Sequence, residues 1–177
     1  MSCSKTLGGI QASCDTNLGG IKTAWFANFG EVSISGQTGH TVSLAFTPAD
    51  TGVTKMVKYE FAKQTGSLTS TQVRNDQNGT NYYTNAIHLV FSKMEASKHI
   101  EVSALAEGRL TAVILDTNGK YWVVGLDTYV SSDGSEIAST GVNFDDMNGY
   151  TIDLSCMEGH LFYEVANPSA ILDGVSA

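Results

Sequence analysis

Charge is scarce in this chain. Lys, Arg, Asp and Glu fill 16% of its 177 positions, against roughly 25% in an ordinary soluble domain. Ser, Thr, Asn and 18 Gly make up the shortfall. The resulting surface is polar but weakly charged and easily desolvated, which suits subunit packing, although ordinary secreted β-proteins have a similar composition. Positive charge is scarcest. Ten Lys and Arg face 18 Asp and Glu, for a formal net charge of −8. That argues against a protein that grips nucleic acid, which needs a basic patch for the phosphates. It is compatible with a wall that DNA slides past, since negative charge repels the phosphate backbone. Solubility alone also explains it and is the more common reason for such a charge.

Cysteine is rare too: Cys3, Cys14 and Cys156. An odd count without zinc-ligand spacing argues against a disulfide framework or a structural metal. A Cys3–Cys14 bridge stays open beside the reduced thiols expected of a cytoplasmically made protein. The opening MSCSKTLGGI lacks the basic and apolar regions of a secretory signal. No run approaches ~18 uninterrupted apolar residues, so no membrane span is expected. Asn78-Gly79-Thr80 fits a glycosylation sequon but reads, without secretion, as a turn.

Catalytic signatures are missing as well. There is no G-x-S-x-G, no P-loop and no dinucleotide fingerprint. His40, His88, His99 and His160 are scattered, none at H-x-x-x-H spacing, and read as surface or interface residues. Cys156 has no basic sequence neighbour to activate a thiolate and reads as a buried structural residue. Asp116-Thr117-Asn118-Gly119 resembles the start of a calcium loop but lacks the later bidentate Glu, and a hairpin turn explains it. Asp133-Gly134-Ser135-Glu136 and Asp145-Asp146 form an acidic loop, read as solvated in preference to a weak divalent-ion site. No residue is singled out as catalytic, cofactor-binding or metal-ligating; no cofactor is expected, and the chain is read as a non-enzyme.

Hydrophobic residues make up 42% of the chain, enough for the core of one domain. Residues 1–20, rich in Gly, Ser and Cys, read as an extended arm, 21–166 as the folded domain and 167–177 as a C-terminal tail. Alternation over Ile21–Phe29 places Ile21, Thr23, Trp25, Ala27 and Phe29 on one strand face. Thr41–Phe46 and Thr54–Lys63 alternate in the same way. Residues 64–84 read as a long polar loop, of the kind that is functional or ordered by a partner, with room for a short strand near 68–73. A strand follows over Asn85–Phe91. Ser92 and Glu95 then carry a capping-box spacing, and Gly108 stands where a left-handed terminator is common. These signals predict one helix over 93–106, with apolar residues on two sides. Lys93, Glu95, Lys98 and Glu101 stand at spacings that allow ion pairs. Arg109–Asp116 and Lys120–Asp127 form a hairpin through Asn118-Gly119, and both strands are apolar on both faces, as central or doubly covered strands are. Residues 128–147 read as a second long loop, Tyr150–Ser155 as an alternating strand and Leu161–Val165 as a closing strand. Eight or nine strands with one helix suggest a single mainly β domain, a β-sandwich or flattened β-barrel with one flanking α-helix.

Three stretches carry a resemblance: Gly19-Gly20-Ile21-Lys22 leading into WFANFGEV, VKYEFAKQTGSLTST at 57–71, and the block from Leu89 to Asp127. Together they resemble structural proteins encoded among the virion and tail genes of tailed phages and prophages of gut Bacteroidetes. The resemblance implies a tail tube (major tail) protein: a β-sandwich or barrel with a flanking helix, made in the host cytoplasm and incorporated into the virion tail. It implies stacked hexameric rings of identical subunits, contacts with other tail proteins, and a channel through which DNA passes without specific binding. No residue identifies the lumen; Asp127, Asp133, Glu136, Asp145 and Asp146 are candidates. On this reading, deletion of residues 1–20 blocks polymerisation and leaves the domain folded. A capsid decoration or head–tail joining protein would share the composition but form trimers or unstacked rings, and the tube protein of a contractile injection system would share the tube fold. A carbohydrate-binding β-module is the alternative from another class, with Tyr82, Tyr83 and Trp122 as its candidate aromatics.

Overall fold

The computed structural model describes residues 8–12, 14–49, 52–134 and 137–175. Cys3, Glu136 and the first part of the expected arm lie outside them. The chain is mainly β, in two sheets with short helices. The strands are β1 (Ile21–Asn28), β2 (Val32–Thr38), β3 (Thr41–Phe46), β4 (Val57–Glu60), β5 (Gly66–Asn75), β6 (Thr80–Ser92), β7 (Leu110–Asp116), β8 (Tyr121–Val124), β9 (Ser131–Ser132), β10 (Ala138–Ser139), β11 (Gly149–Glu158) and β12 (Tyr163–Val165). The helices are α1 (Ala96–Glu107), between β6 and β7, and α2 (Pro168–Ile171).

The larger sheet runs β2-β3-β12-β8-β7-β1-β4; the smaller runs β10-β11-β6-β5, with β9 also paired to β11. One face of the larger sheet packs against the smaller. Ala24, Phe26, Ala112, Ile114 and Val124 meet Ile87, Leu89, Ile152 and Leu154, and Val102 and Leu105 of α1 join them. The opposite face carries a second core of Trp25, Leu44, Val113, Val123 and Val165, with Met56, Ile171 and Leu172. β7 sits between these cores, which is why five successive residues, Leu110–Ile114, are buried. The two-faced apolar pattern of this strand therefore reports cover on both sides.

The expected tail is part of this second core. Asn167 makes a backbone-like pair with Leu44, its Oδ1 accepting the Leu44 N–H and its Nδ2 donating to the Leu44 carbonyl, both at 2.8 Å. Met56 N–H donates to Ile171 O at 2.9 Å, and Trp25 Nε1 donates to Asp173 O at 2.9 Å. Ile171 and Leu172 are buried. The segment after β12 thus straps the face of the larger sheet that the smaller sheet leaves uncovered.

Three further expectations are corrected. Residues 64–84 form most of a long hairpin, because Ser, Thr and Asn suit a strand whose outer face stays half wet: β5 pairs with β6 from Gly66↔Leu89 to Asn75↔Thr80. Ile21 belongs to the core between the sheets, opposite to Trp25 and Ala27, because a bulge between Ile21 and Thr23 reverses the alternation. The helix begins later than 93, and no capping box forms. Ser92 still belongs to β6, and Lys93 turns the chain with φ +64°. The free N–H groups of Lys93 and Met94 donate to Asn148, to its backbone O at 2.7 Å and its Oδ1 at 3.1 Å. Gly108 has φ −75°, not a left-handed value. Glycine is needed there for space: an added Cβ would stand 2.8 Å from Ala104 O and 3.0 Å from Leu110 Cδ2.

The Asn118-Gly119 hairpin joins β7 to β8 as expected. β12 does not close a sheet edge. It inserts between β3 and β8, parallel to the former and antiparallel to the latter.

Candidate assembly surfaces

The four histidines lie in separate parts of the fold, except that His40 and His160 both pack on Tyr163. His88 Nδ1 lies 2.6 Å from Asp153 Oδ1 on the outer face of the smaller sheet. His160 Nε2 lies 3.0 Å from Asp127 Oδ2 at the far end of that sheet, and its ring packs 4.3 Å from that of Tyr163. His40 packs on Tyr163, and His99 faces Tyr150 across 6.1 Å. Among the described residues no three His, Cys, Asp or Glu side chains are grouped as a metal ion requires. Among them also, no helix is long and apolar enough to cross a membrane.

The four described lumen candidates differ in their partners. Asp127 pairs with His160, and Asp133 accepts a hydrogen bond from Ser155 Oγ. Asp145 is exposed in the β10–β11 connection. Asp146, in the same connection, is held below its ordinary pKa by backbone N–H donors from Asn143 and Val142. Tyr82 and Tyr83 project from opposite faces of β6, as neighbours in a strand must. Trp122 stands apart on β8, its Nε1 donating to Asp116 Oδ2 at 3.0 Å and its ring edge-on to Phe162 at 5.3 Å. These three aromatics do not make the shared platform that stacking on a sugar requires.

Cys156 is buried, as read from the sequence, and its thiol is pushed up to about 12 by burial and by the nearby Glu158 carboxylate. Glu158 itself was not anticipated. It is 2% exposed. Its Oε1 accepts the N–H groups of Gly125, Leu126 and Asp127 at 3.2, 2.9 and 3.3 Å, and its Oε2 accepts Asn85 Nδ2 at 2.9 Å. The carboxylate thereby fastens the end of β8 to β6 and β11. Parity could have revealed it: Tyr150, Ile152, Leu154, Cys156 and Glu158 occupy one strand face, and a carboxylate on an apolar face needs donors.

Among the described residues three open surfaces stand out. The first is the β5–β6 hairpin. β11 ends opposite Tyr83, so Val73–Tyr82 projects past the sheet as a two-stranded ribbon whose tip is held by Asn75 Oδ1 accepting from Gln77 and Asn78 N–H. Such a ribbon is marginal alone. The second is the edge of β5, ten residues long with no further strand beside it among the described residues. The third is a scatter of bare apolar side chains: Ile10 on the arm, Ile100 on α1 (69% exposed), and Val142 and Phe144 before β11. The described arm residues are exposed and lack regular structure, but the root of the arm is anchored. Leu18 N–H donates to Asn118 Oδ1 at 2.9 Å, and Thr117 Oγ1 donates to Gly20 O at 2.9 Å.

Compared with protein-family models, with curated proteins and with solved structures, the chain matches none of them.

Proposed function

We propose that this chain is a non-enzymatic virion structural protein: a tail tube subunit that polymerises into stacked rings around a channel for DNA. The observation that carries this reading is the amount of ordered surface left without a partner. A ten-residue sheet edge, a hairpin ribbon longer than its sheet and several fully exposed aliphatic and aromatic side chains occur on one small chain. Each is a liability for a solitary protomer and an asset for one that is covered by its neighbours. The sandwich with its flanking helix fits the tube reading, and a net charge of −8 suits a wall from which DNA must slip. A capsid decoration or head–tail joining protein would use the same surfaces in trimers or unstacked rings.

Electron microscopy of the purified protein tests the reading. Hollow tubes of uniform bore are expected. Isolated trimers, or particles no larger than one protomer at any concentration, would overturn it.

A further inference from the structure

We propose that the β10–β11 connection is a knob that seats in a lysine-lined cavity on the opposite flank of a second copy of this chain, making a lateral, head-to-tail contact. The inference rests on the assembly reading above and names the surface it uses.

The knob is built, not merely exposed. Asp146 Oδ2 accepts the N–H groups of Val142 and Asn143 at 2.8 and 2.7 Å, and Asp146 N–H donates to Asn143 O at 3.2 Å. Gly141, with φ +67°, starts the turn where an added Cβ would stand 2.4 Å from Asp146 Cβ. The closed turn throws Val142 and Phe144 outward at 96% and 114% exposure, with Met147 half bare beside them. Asp145, next to Phe144, is an exposed carboxylate with no ion-pair partner among the described residues.

The receptor is a cavity of about 480 Å³ lined by Leu18, Ile21 and Phe61 together with Lys22 and Lys63. Its charge singles it out. Among the described residues Lys58, Arg74, Lys93, Lys98 and Lys120 are ion-paired, Lys55 donates to Ser169 O, and Arg109 lies over Tyr129. The two remaining described cations, Lys22 and Lys63, line this one cavity, which has no carboxylate in its lining. The other described cavities each include Glu31, Asp116, Glu60 or Glu101. An apolar knob flanked by an unpaired carboxylate therefore finds a complementary hole here, apolar and doubly basic. Charge of this kind sets register and partner choice, and an aromatic in a pocket supplies the anchor.

Topology makes the contact intermolecular. Ser139 pairs with Gly149, Gly149 with Ser92, and Leu89 with Gly66, so the knob and the start of β5 lie near the same end of β6, on opposite edges of the smaller sheet. Three strand spacings, about 14 Å, separate them. The cavity adjoins the start of β5, where Gly66 packs against Ile21 and Phe61. A knob on one edge and a hole on the other, at one level, cannot satisfy each other within a chain. Between chains they make a heterologous contact that propagates sideways into a ring.

The test uses two variants, F144D and the double variant K22E/K63E. Each alone is expected to melt like the wild type, form no rings and associate at least ~30-fold more weakly. Mixed, they are expected to recombine through the one intact knob and one intact hole into a 1:1 heterodimer that grows no further, read by sedimentation velocity. F144S replaces F144D should the carboxylate disturb the turn. Variants that assemble like the wild type, or a mixture that stays monomeric, overturn this contact and leave assembly by other surfaces standing. A wild-type chain that is monomeric at every concentration overturns the assembly reading and the contact together.

Discussion

Glu158 and Cys156 project side by side from the inner face of β11, and each makes a residue-scale prediction. Removing the Glu158 carboxylate strands the N–H groups of Gly125, Leu126 and Asp127 and the Asn85 amide. Each stranded buried donor costs about 1–3 kcal/mol, and those that reach water cost less. E158A is therefore expected to lower the unfolding free energy by about 2–4 kcal/mol, and urea denaturation checks it; a change below about 0.5 kcal/mol is what an indifferent surface site would give. Cys156 adds a pH dependence. An unfolded thiol ionises near ~8.5, whereas burial and Glu158 hold this one protonated to about 12. Its folded value lies above its unfolded one, so its contribution is fully present below ~8.5 and is lost as pH rises from there toward the folded value. Tyr59, also pushed up by burial and by Glu101, adds a similar loss above ~10. Stability is expected to fall between pH 8 and pH 10, and to fall less in C156A. Equal slopes in the two proteins would contradict the buried, protonated thiol.

At the scale of elements, the strap after β12 decides whether the larger sheet has one covered face or two. Leu172 is fully buried against that sheet and forms a bridge with Met56. L172A is expected to cost about 2–5 kcal/mol, or some 2–4 °C of melting temperature per kcal/mol at this chain length. A melting temperature within 1 °C of the wild type would show that the strap lies loosely. Strands with strict alternation or a short Asn-Gly turn were legible in the sequence: β3, the β7–β8 hairpin and the first half of β11 each write their burial into neighbouring residues. What stayed hidden is settled by distant partners. Asn148 holds the Lys93–Met94 turn ahead of α1 where a capping box was expected, one bulge in β1 reverses the side of Ile21, and the β5–β6 ribbon is polar because most of it faces water. The strap was hidden for the same reason: Ile171 and Leu172 are too few to show a period, and only Met56, Trp25 and Leu44 give them a place to go.

At the scale of the molecule, its open surfaces outnumber its convergent ones. The loop that holds Asp145 and Asp146 also presents Val142 and Phe144. Val142, Phe144 and Met147 stand in an otherwise polar loop, but their exposure depends on a turn closed by Asp146 that spacing alone does not disclose. The central claim is that this chain works through surfaces that mate with identical copies. Sedimentation velocity of the wild-type protein across a thousandfold concentration range tests it most directly. The account predicts species heavier than the 18.8 kDa protomer that grow with concentration. A single boundary at protomer mass throughout the range would contradict it.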